Sequence, residues 1–287
     1  MSKPWIILFP LVAALAIASA CGEKSSELSQ RCRAAGNDRL QSAGLRVYRG
    51  SSLNAGELQV GTIPACSDSS QATQIYLLAR RALAMIPEDL RPAQVSIHVS
   101  PTLTAKTPPI NVTEVHRESN SILVDARSLK RIDLSTMLHE MAHVQMASRA
   151  PSGTIAARLE ESLGEGIADY YAATIQGSPN LGKIKGKAAR DLSQRPVWLR
   201  GGWTRLADAS KPWLAHEQGW ALAALLWSQQ KEPGAILRDL ITCMKSARLD
   251  SSESPAKVID SWLASCPANS RESLVKLMHR WIPSSMY

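Results

Sequence analysis

No two cysteines in the 287-residue sequence are spaced Cys-x-x-Cys, which excludes a dithiol redox centre and a zinc ribbon. There is no Lys/Arg block and no basic stretch interleaved with aromatics, so nucleic-acid binding has no support. Internal repeats of convincing period are absent too. The apolar run Trp5 to Ile17 has 13 residues, short of the roughly 20 that a bilayer-spanning helix needs. The residue balance is mildly basic, +8 overall, with the charge spread along the chain. That fits a solvated surface or a general affinity for anionic envelope surfaces.

What is present at the start of the chain reads as an export signal. Lys3 supplies a positive end, the apolar run follows, and Ala18, Ser19 and Ala20 precede Cys21 as at a secretory cleavage site. Residues 1–20 are therefore expected to be a signal peptide. Ala18-Ser19-Ala20 suits ordinary signal peptidase, while a cysteine directly after small residues resembles a bacterial lipoprotein lipobox, with Ala18 where Leu is usual. That resemblance implies a lipid on Cys21, and the polar stretch Gly22 to Gln30 then serves as a flexible tether. Without Cys21 four of the five cysteines remain: Cys32, Cys66, Cys243 and Cys266. In an oxidising periplasm they have three possible connectivities, of which the sequence-local Cys32–Cys66 and Cys243–Cys266 is the simplest. The expected location is exported and periplasmic, lipid-anchored to the outer membrane.

Residues 21–70 are expected to hold the tether and an N-terminal disulfide-containing region, with short strands at Leu45–Tyr48 and Glu57–Gly61. Gln71–Met85 carries Ile75, Leu78, Ala82 and Met85 at helical spacing. Val95–Val99 and Ser121–Ala126 predict strands. Asp133 is a good N-cap for a helix over Leu134–Ser148. A second helix is expected over Thr154–Ile175, closed by Gly177 and Pro179. Beyond it, Ala215–Gln230, Pro233–Ser246, Ser254–Ala264 and Ser270–Trp281 are helical candidates. The fold class is α+β, with a catalytic half over 71–178 packed against a helical C-terminal half over 179–287.

The chemistry concentrates in His139-Glu140-Met141-Ala142-His143. On a helix, positions i and i+4 share a face, so both imidazoles reach one ion. Glu140 lies about 100° further round the helix. It stands beside an ion instead of on it, the place for a general base acting on water. A catalytic zinc needs a third protein ligand and an open position. The next helix offers Glu160, Glu161 and Glu165, with Asp169 four residues beyond Glu165. One reading makes Glu165 the ligand and Asp169 the acceptor for the far N–H of a ligating histidine. The rival makes Glu161 the ligand and Glu165 the supporting group; otherwise Glu160 and Glu161 form a solvated acidic face. Gly164 and Gly166 flank Glu165, and glycine within a helix costs about 1 kcal/mol unless close packing needs it. Close approach to the motif helix is the expected need.

His139-Glu140-x-x-His143 followed by Glu165-Gly-x-Ala-Asp169 resembles the gluzincins, the thermolysin-like and aminopeptidase-like zinc peptidases. The resemblance implies one zinc ion on His139, His143 and Glu165, Glu140 as base, and Asp169 supporting a histidine. The 21 residues between His143 and Glu165 are slightly more than the best-known members have. It implies a zincin-like half (small sheet, active-site helix, glutamate helix) facing a helical half across a cleft. Ser121 to Ala126 would be the edge strand that pairs with an extended substrate. His216, three residues before Gly219, would donate to the developing oxyanion, with Tyr170 and Tyr171 as alternatives that otherwise pack in the core. His98, His116 and His279 are expected to be structural or surface residues, and the eight tryptophans to pack helices. The Gly-Ala/Gly-Met-Glu-Asn segment that holds a substrate amino terminus in the aminopeptidases is missing, which favours an endopeptidase. The reading is a zinc peptidase of the bacterial envelope acting on a peptide or envelope protein. Its rival is a non-catalytic envelope binding or assembly lipoprotein that keeps the metallopeptidase scaffold.

Overall fold

Val95–Ser100 and Ser121–Asp125 are rich in β-branched residues, and they pair in parallel at the centre of a five-stranded sheet. The computed structural model describes residues 40–42, 45–49, 71–92, 95–100, 113–116, 121–125, 129, 131–146, 155–184, 187–194, 213–229, 233–247 and 255–282. The sheet comprises β1 (Leu40–Ser42), β2 (Leu45–Arg49), β3 (Val95–Ser100), β4 (Thr113–His116) and β5 (Ser121–Asp125). Its order is β1-β2-β3-β5-β4, with β2, β3 and β5 parallel and the two outer strands antiparallel. Ile122, Leu123 and Val124 are all buried, as expected of a strand covered on both faces. The β5 segment is therefore interior. The edge on that side is β4, whose four residues, Thr-Glu-Val-His, carry little alternation to mark them in the sequence.

Helix α1 (Gln71–Met85) makes the crossover from β2 to β3, the long connection that parallel strands require. Helix α2 (Leu134–Met146) follows β5 and carries the histidine motif. Asp133 caps it: its Oδ1 accepts from the Thr136 backbone N–H at 3.0 Å and from the Ser135 and Thr136 hydroxyls. Helices α1 and α2 pack on each other and on the sheet. Helix α3 (Ile155–Gln176) ends at Gly177, whose φ of +68° suits glycine.

Residues 179–287 were expected to be helical, but they open with an antiparallel hairpin, β6 (Asn180–Ile184) and β7 (Lys187–Asp191). Lysines and glycines in this stretch mask the strand pattern. Then come α4 (Trp213–Ser228), α5 (Pro233–Ser246), α6 (Pro255–Ala264) and α7 (Ala268–Trp281). The class is α+β, mostly helical. Among the described residues no helix is long and apolar enough to cross a membrane.

Helix α3 is the hub. It packs against α2, α4, α5, α6 and β6, so it keeps almost no solvent face. Glu160 is accordingly 6% exposed and does not sit on a solvated acidic face. Tyr170 and Tyr171 are fully buried, and the Tyr171 hydroxyl donates to the Leu90 carbonyl at 3.0 Å. Helix α4 buries six consecutive residues, Ala221 to Leu226, the signature of a helix that is apolar all round. The indole of Trp281 donates to the Gln218 carbonyl at 3.0 Å, tying α7 to α4. Trp262 and Trp281 are core residues. Cys243 and Cys266 form a disulfide between α5 and the end of α6, Cα–Cα 4.4 Å. Cys21, Cys32, Cys66 and the expected strand at Glu57–Gly61 lie outside the described residues.

The two glycines beside Glu165 serve different contacts. A Cβ on Gly164 would stand 3.8 Å from the His143 ring, an ordinary contact. On Gly166 it would meet the Gly219 carbonyl oxygen at 2.8 Å, and on Gly219 it would meet the Glu165 Cβ at 2.6 Å and the Gly166 nitrogen at 2.7 Å. The close approach is thus between α3 and α4, not between α3 and the motif helix. Gly219→Ala is expected to destabilise the metal-free protein by about 1–3 kcal/mol, because backbone must move to admit the methyl. Gly164→Ala is expected to stabilise it by up to about 1 kcal/mol, since space exists and alanine favours a helix. Urea unfolding of both variants measures the contrast.

Candidate metal centre

His139 and His143 sit on successive turns of α2, and Glu165 faces them from the middle of α3. His139 Nε2 lies 3.0 Å from His143 Nε2 and 3.1 Å from Glu165 Oε2. His143 Nε2 lies 3.3 Å from Glu165 Oε1. A four-coordinate ion with bonds of about 2.0–2.1 Å separates its ligands by about 3.3–3.4 Å. The three side chains thus converge on one point at very nearly the spacing an ion needs. Among the described residues they are the group able to hold a metal ion.

Two further observations fit an ion here. Glu165 Oε2 is buried and accepts no hydrogen bond in good geometry, although His139 Nε2 and His216 Nδ1 stand 3.1 and 2.7 Å away. An orphaned buried carboxylate oxygen is costly, and a cation satisfies it. His139 Nδ1 is 2.8 Å from Asp169 Oδ1, and Asp169 is 1% exposed. That contact keeps the Nδ1 proton on the ring, so that Nε2, facing Glu165 and His143, is the nitrogen that offers its lone pair once the ring is neutral.

Glu165 is the carboxylate that meets both imidazoles, and Asp169, one turn on, holds the far side of His139; among the described residues Glu165, and not Glu161, belongs to the group able to hold an ion. Glu140 is buried on the same helix. His216, at the start of α4, joins the cluster, but its Nδ1 points at the Glu165 carboxylate and its side chain is 49% exposed. A histidine so placed is a partner of the carboxylate first. His98 and His116 fall on β3 and β4, and His279 is on the exposed side of α7. One residue was missed altogether. Arg190, on β7, places Nη2 2.8 Å from Asp169 Oδ1. A lone arginine in a lysine-rich hairpin carries no sequence signal. The only hint was that a buried Asp169 needs a cation.

The electrostatics follow from burial among charges. Burial alone would push the His139 imidazole down, but the Glu165 charge and the Asp169 hydrogen bond outweigh it, and it is held at about 10 in the metal-free site. Burial works to raise the Glu165 carboxyl, and the surrounding His216, His143 and His139 imidazoles overcome it and hold it well below the ordinary carboxylate range. The Glu165 charge raises His216. Comparison with protein-family models, with curated proteins and with solved structures finds no match to this chain. The site's geometry is therefore the ground for any functional reading.

A ligating imidazole must give up the proton that His139 holds up to about pH 10. Uptake of Zn²⁺ at pH 7 is expected to release at least about one proton per ion, with apparent affinity rising roughly tenfold per pH unit toward pH 10. Titration calorimetry in two buffers of different ionisation enthalpy measures the release. In the metal-free protein the raised His139 contributes stability that is full below its unfolded value of 6.5 and lost as pH rises through about 10. The depressed Glu165 contributes stability that is present above its unfolded value of 4.5 and lost as pH falls through its lower folded value. Urea midpoints are expected to be highest between those two unfolded values.

Proposed function

We propose that this chain is a zinc-dependent peptide-bond hydrolase of the bacterial envelope, an endopeptidase of gluzincin type. The observation that carries the reading is the convergence of His139 Nε2, His143 Nε2 and a Glu165 carboxylate on one point, with separations of 3.0, 3.1 and 3.3 Å. Two histidines and a carboxylate suit zinc, and three protein ligands leave a position open, as a catalytic site requires. Bound there, zinc supplies a Lewis acid that makes water a nucleophile at neutral pH and polarises the scissile carbonyl.

The chain's own groups supply the rest. Glu140, one residue past His139, takes the proton from the attacking water and returns it to the leaving amine. Asp169 keeps His139 in the tautomer that presents Nε2. His216 binds Glu165 through Nδ1 and is half exposed, so its ring can turn its other nitrogen toward a substrate oxygen at the open side. An oxyanion donor role rests on that second nitrogen. The sheet supports a zincin-like arrangement, with α2 packed on it and β4 at the edge, antiparallel to β5. An extended substrate would add to β4 as a further strand, with backbone hydrogen bonds giving affinity. The export signal and Cys21 support a lipid-anchored, periplasmic protein whose substrates are peptides or envelope proteins.

Purified wild-type protein is expected to carry about one zinc per chain. Glu140→Gln is expected to keep that zinc and lose hydrolysis by about 10²–10⁴-fold. Metal analysis, together with a proteome-wide comparison of envelope-protein cleavage in cells carrying wild type or the variant, tests both. Unchanged cleavage in Glu140→Gln, or no zinc in the wild type, sinks the proposal. Zinc with no Glu140-dependent cleavage points instead to the binding or assembly lipoprotein.

A further inference from the structure

We propose that Arg190, on the β6–β7 hairpin, is a positioning residue of the metal centre that acts through Asp169 to hold the His139 imidazole with Nε2 aimed at His143 and Glu165. The proposal rests on the metal-binding part of the reading above and is independent of whether the site hydrolyses peptides.

Asp169 Oδ1 meets two groups, His139 Nδ1 at 2.8 Å and Arg190 Nη2 at 2.8 Å. A carboxylate that is 1% exposed is costly to bury unless it is both paired and hydrogen-bonded. Only one of these partners is a permanent cation. An imidazole that ligates a metal is neutral and gives Asp169 a hydrogen bond without a charge, whereas a guanidinium stays charged at all relevant pH. When the ion is bound, Arg190 is therefore the cationic partner that holds the Asp169 carboxylate in place. Asp169 in turn fixes which way the His139 ring faces.

Arg190 is itself held in position by its hairpin. The Gly182 N–H donates to Ser135 Oγ at 2.7 Å, and Ser135 donates to Asp133 Oδ1, the oxygen that caps α2. At the other strand, the Trp220 indole of α4 approaches the Asp191 carbonyl at 3.4 Å. Leu181 and Leu192, both at the open end of the hairpin, are 1% exposed. Leu181 pairs directly with Arg190 in the hairpin register. The hairpin is thus seated on α2 and α4 by contacts that do not involve Arg190, and it delivers the guanidinium to the far side of the His139–Asp169 pair. Removal of the side chain is expected to spare the fold and loosen the imidazole.

The test compares Arg190→Ala, Arg190→Lys, Asp169→Asn and the double variant Asp169→Asn/Arg190→Ala. Zn²⁺ affinity is measured by chelator competition at fixed pH, and the His139 Nδ1–H proton resonance is followed in the metal-free proteins. Arg190→Ala is expected to weaken Zn²⁺ binding by about 10–100-fold, as loss of a group behind a ligand does. It should also broaden or shift the Nδ1–H signal. Arg190→Lys, which keeps the charge but not the fork, is expected to lie between Arg190→Ala and the wild type. In the Asp169→Asn background, Arg190→Ala is expected to change affinity by no more than about twofold, because the group it acts through has already lost its charge. Unchanged affinity in Arg190→Ala, an unchanged Nδ1–H signal, or an equal loss in both backgrounds overturns the proposal. Urea midpoints guard against general unfolding, and if Arg190→Ala does not fold, Arg190→Lys alone must show the partial loss and shifted signal. A wild-type protein with no Zn²⁺ affinity defeats the metal reading itself, and the metal-free resonance then decides whether Arg190 orients His139.

Discussion

The close approach of α3 and α4 at Gly166 and Gly219 is the constraint on which the site depends. Backbone lies against backbone there, and the Glu165 side chain leaves α3 directly beside the contact. Any side chain at Gly219 would press on Glu165 itself. The approach draws the start of α4 close enough for His216 to reach Glu165, while the packing of α3 on α2 sets the carboxylate opposite the two imidazoles. Glycine in a helix is unfavourable by propensity, so two of them facing each other across a helix pair mark a place where packing outranks local preference.

Around that contact the charges form one linked set. Glu165 is surrounded by three imidazoles, and His139 bridges Glu165 on one side and Asp169 on the other. Arg190 closes the set from the hairpin. In a low-dielectric interior such groups are stable only together, since a lone buried charge is expensive and a satisfied network is not. Within this network Glu165 Oε2 and Arg190 Nε are left without a hydrogen-bond partner, and of the two only Oε2 is an acceptor at the point where the imidazoles converge. Incompleteness at a point where three donors already converge is the physical reason to read the site as a metal centre.

Much of the secondary structure was legible because it is periodic. Gln71–Met85 and Pro233–Ser246 form helices with the bounds that apolar spacing and Pro233 suggest, and Asp133 caps the motif helix through the Thr136 N–H. The β6–β7 hairpin was not legible, because its short strands lack alternation and Ile184 is their only β-branched residue. Strand order was hidden as well. Ser121–Asp125 is a strong strand by composition, yet whether it lies at the edge depends on where Thr113–His116 pairs. Glu160 shows the same limit: its charge suggests solvent, and the five elements packed around α3 bury it.

By itself the sequence determined which residues are neighbours along a helix: His139 and His143 one turn apart, Glu165 and Asp169 one turn apart, with Glu140 turned about 100° from His139. Those relations follow from 3.6 residues per turn and need no tertiary knowledge. Only the folded chain decided how the two helices face each other. That Glu165 meets both histidines, that Asp169 takes the far nitrogen of His139, that His216 bonds the carboxylate, and that Arg190 arrives from a hairpin are all contacts between separate elements. They are set by the packing of α3 on α2, by the Gly166–Gly219 approach of α3 and α4, and by the seating of the hairpin on Ser135, interactions that no local pattern encodes.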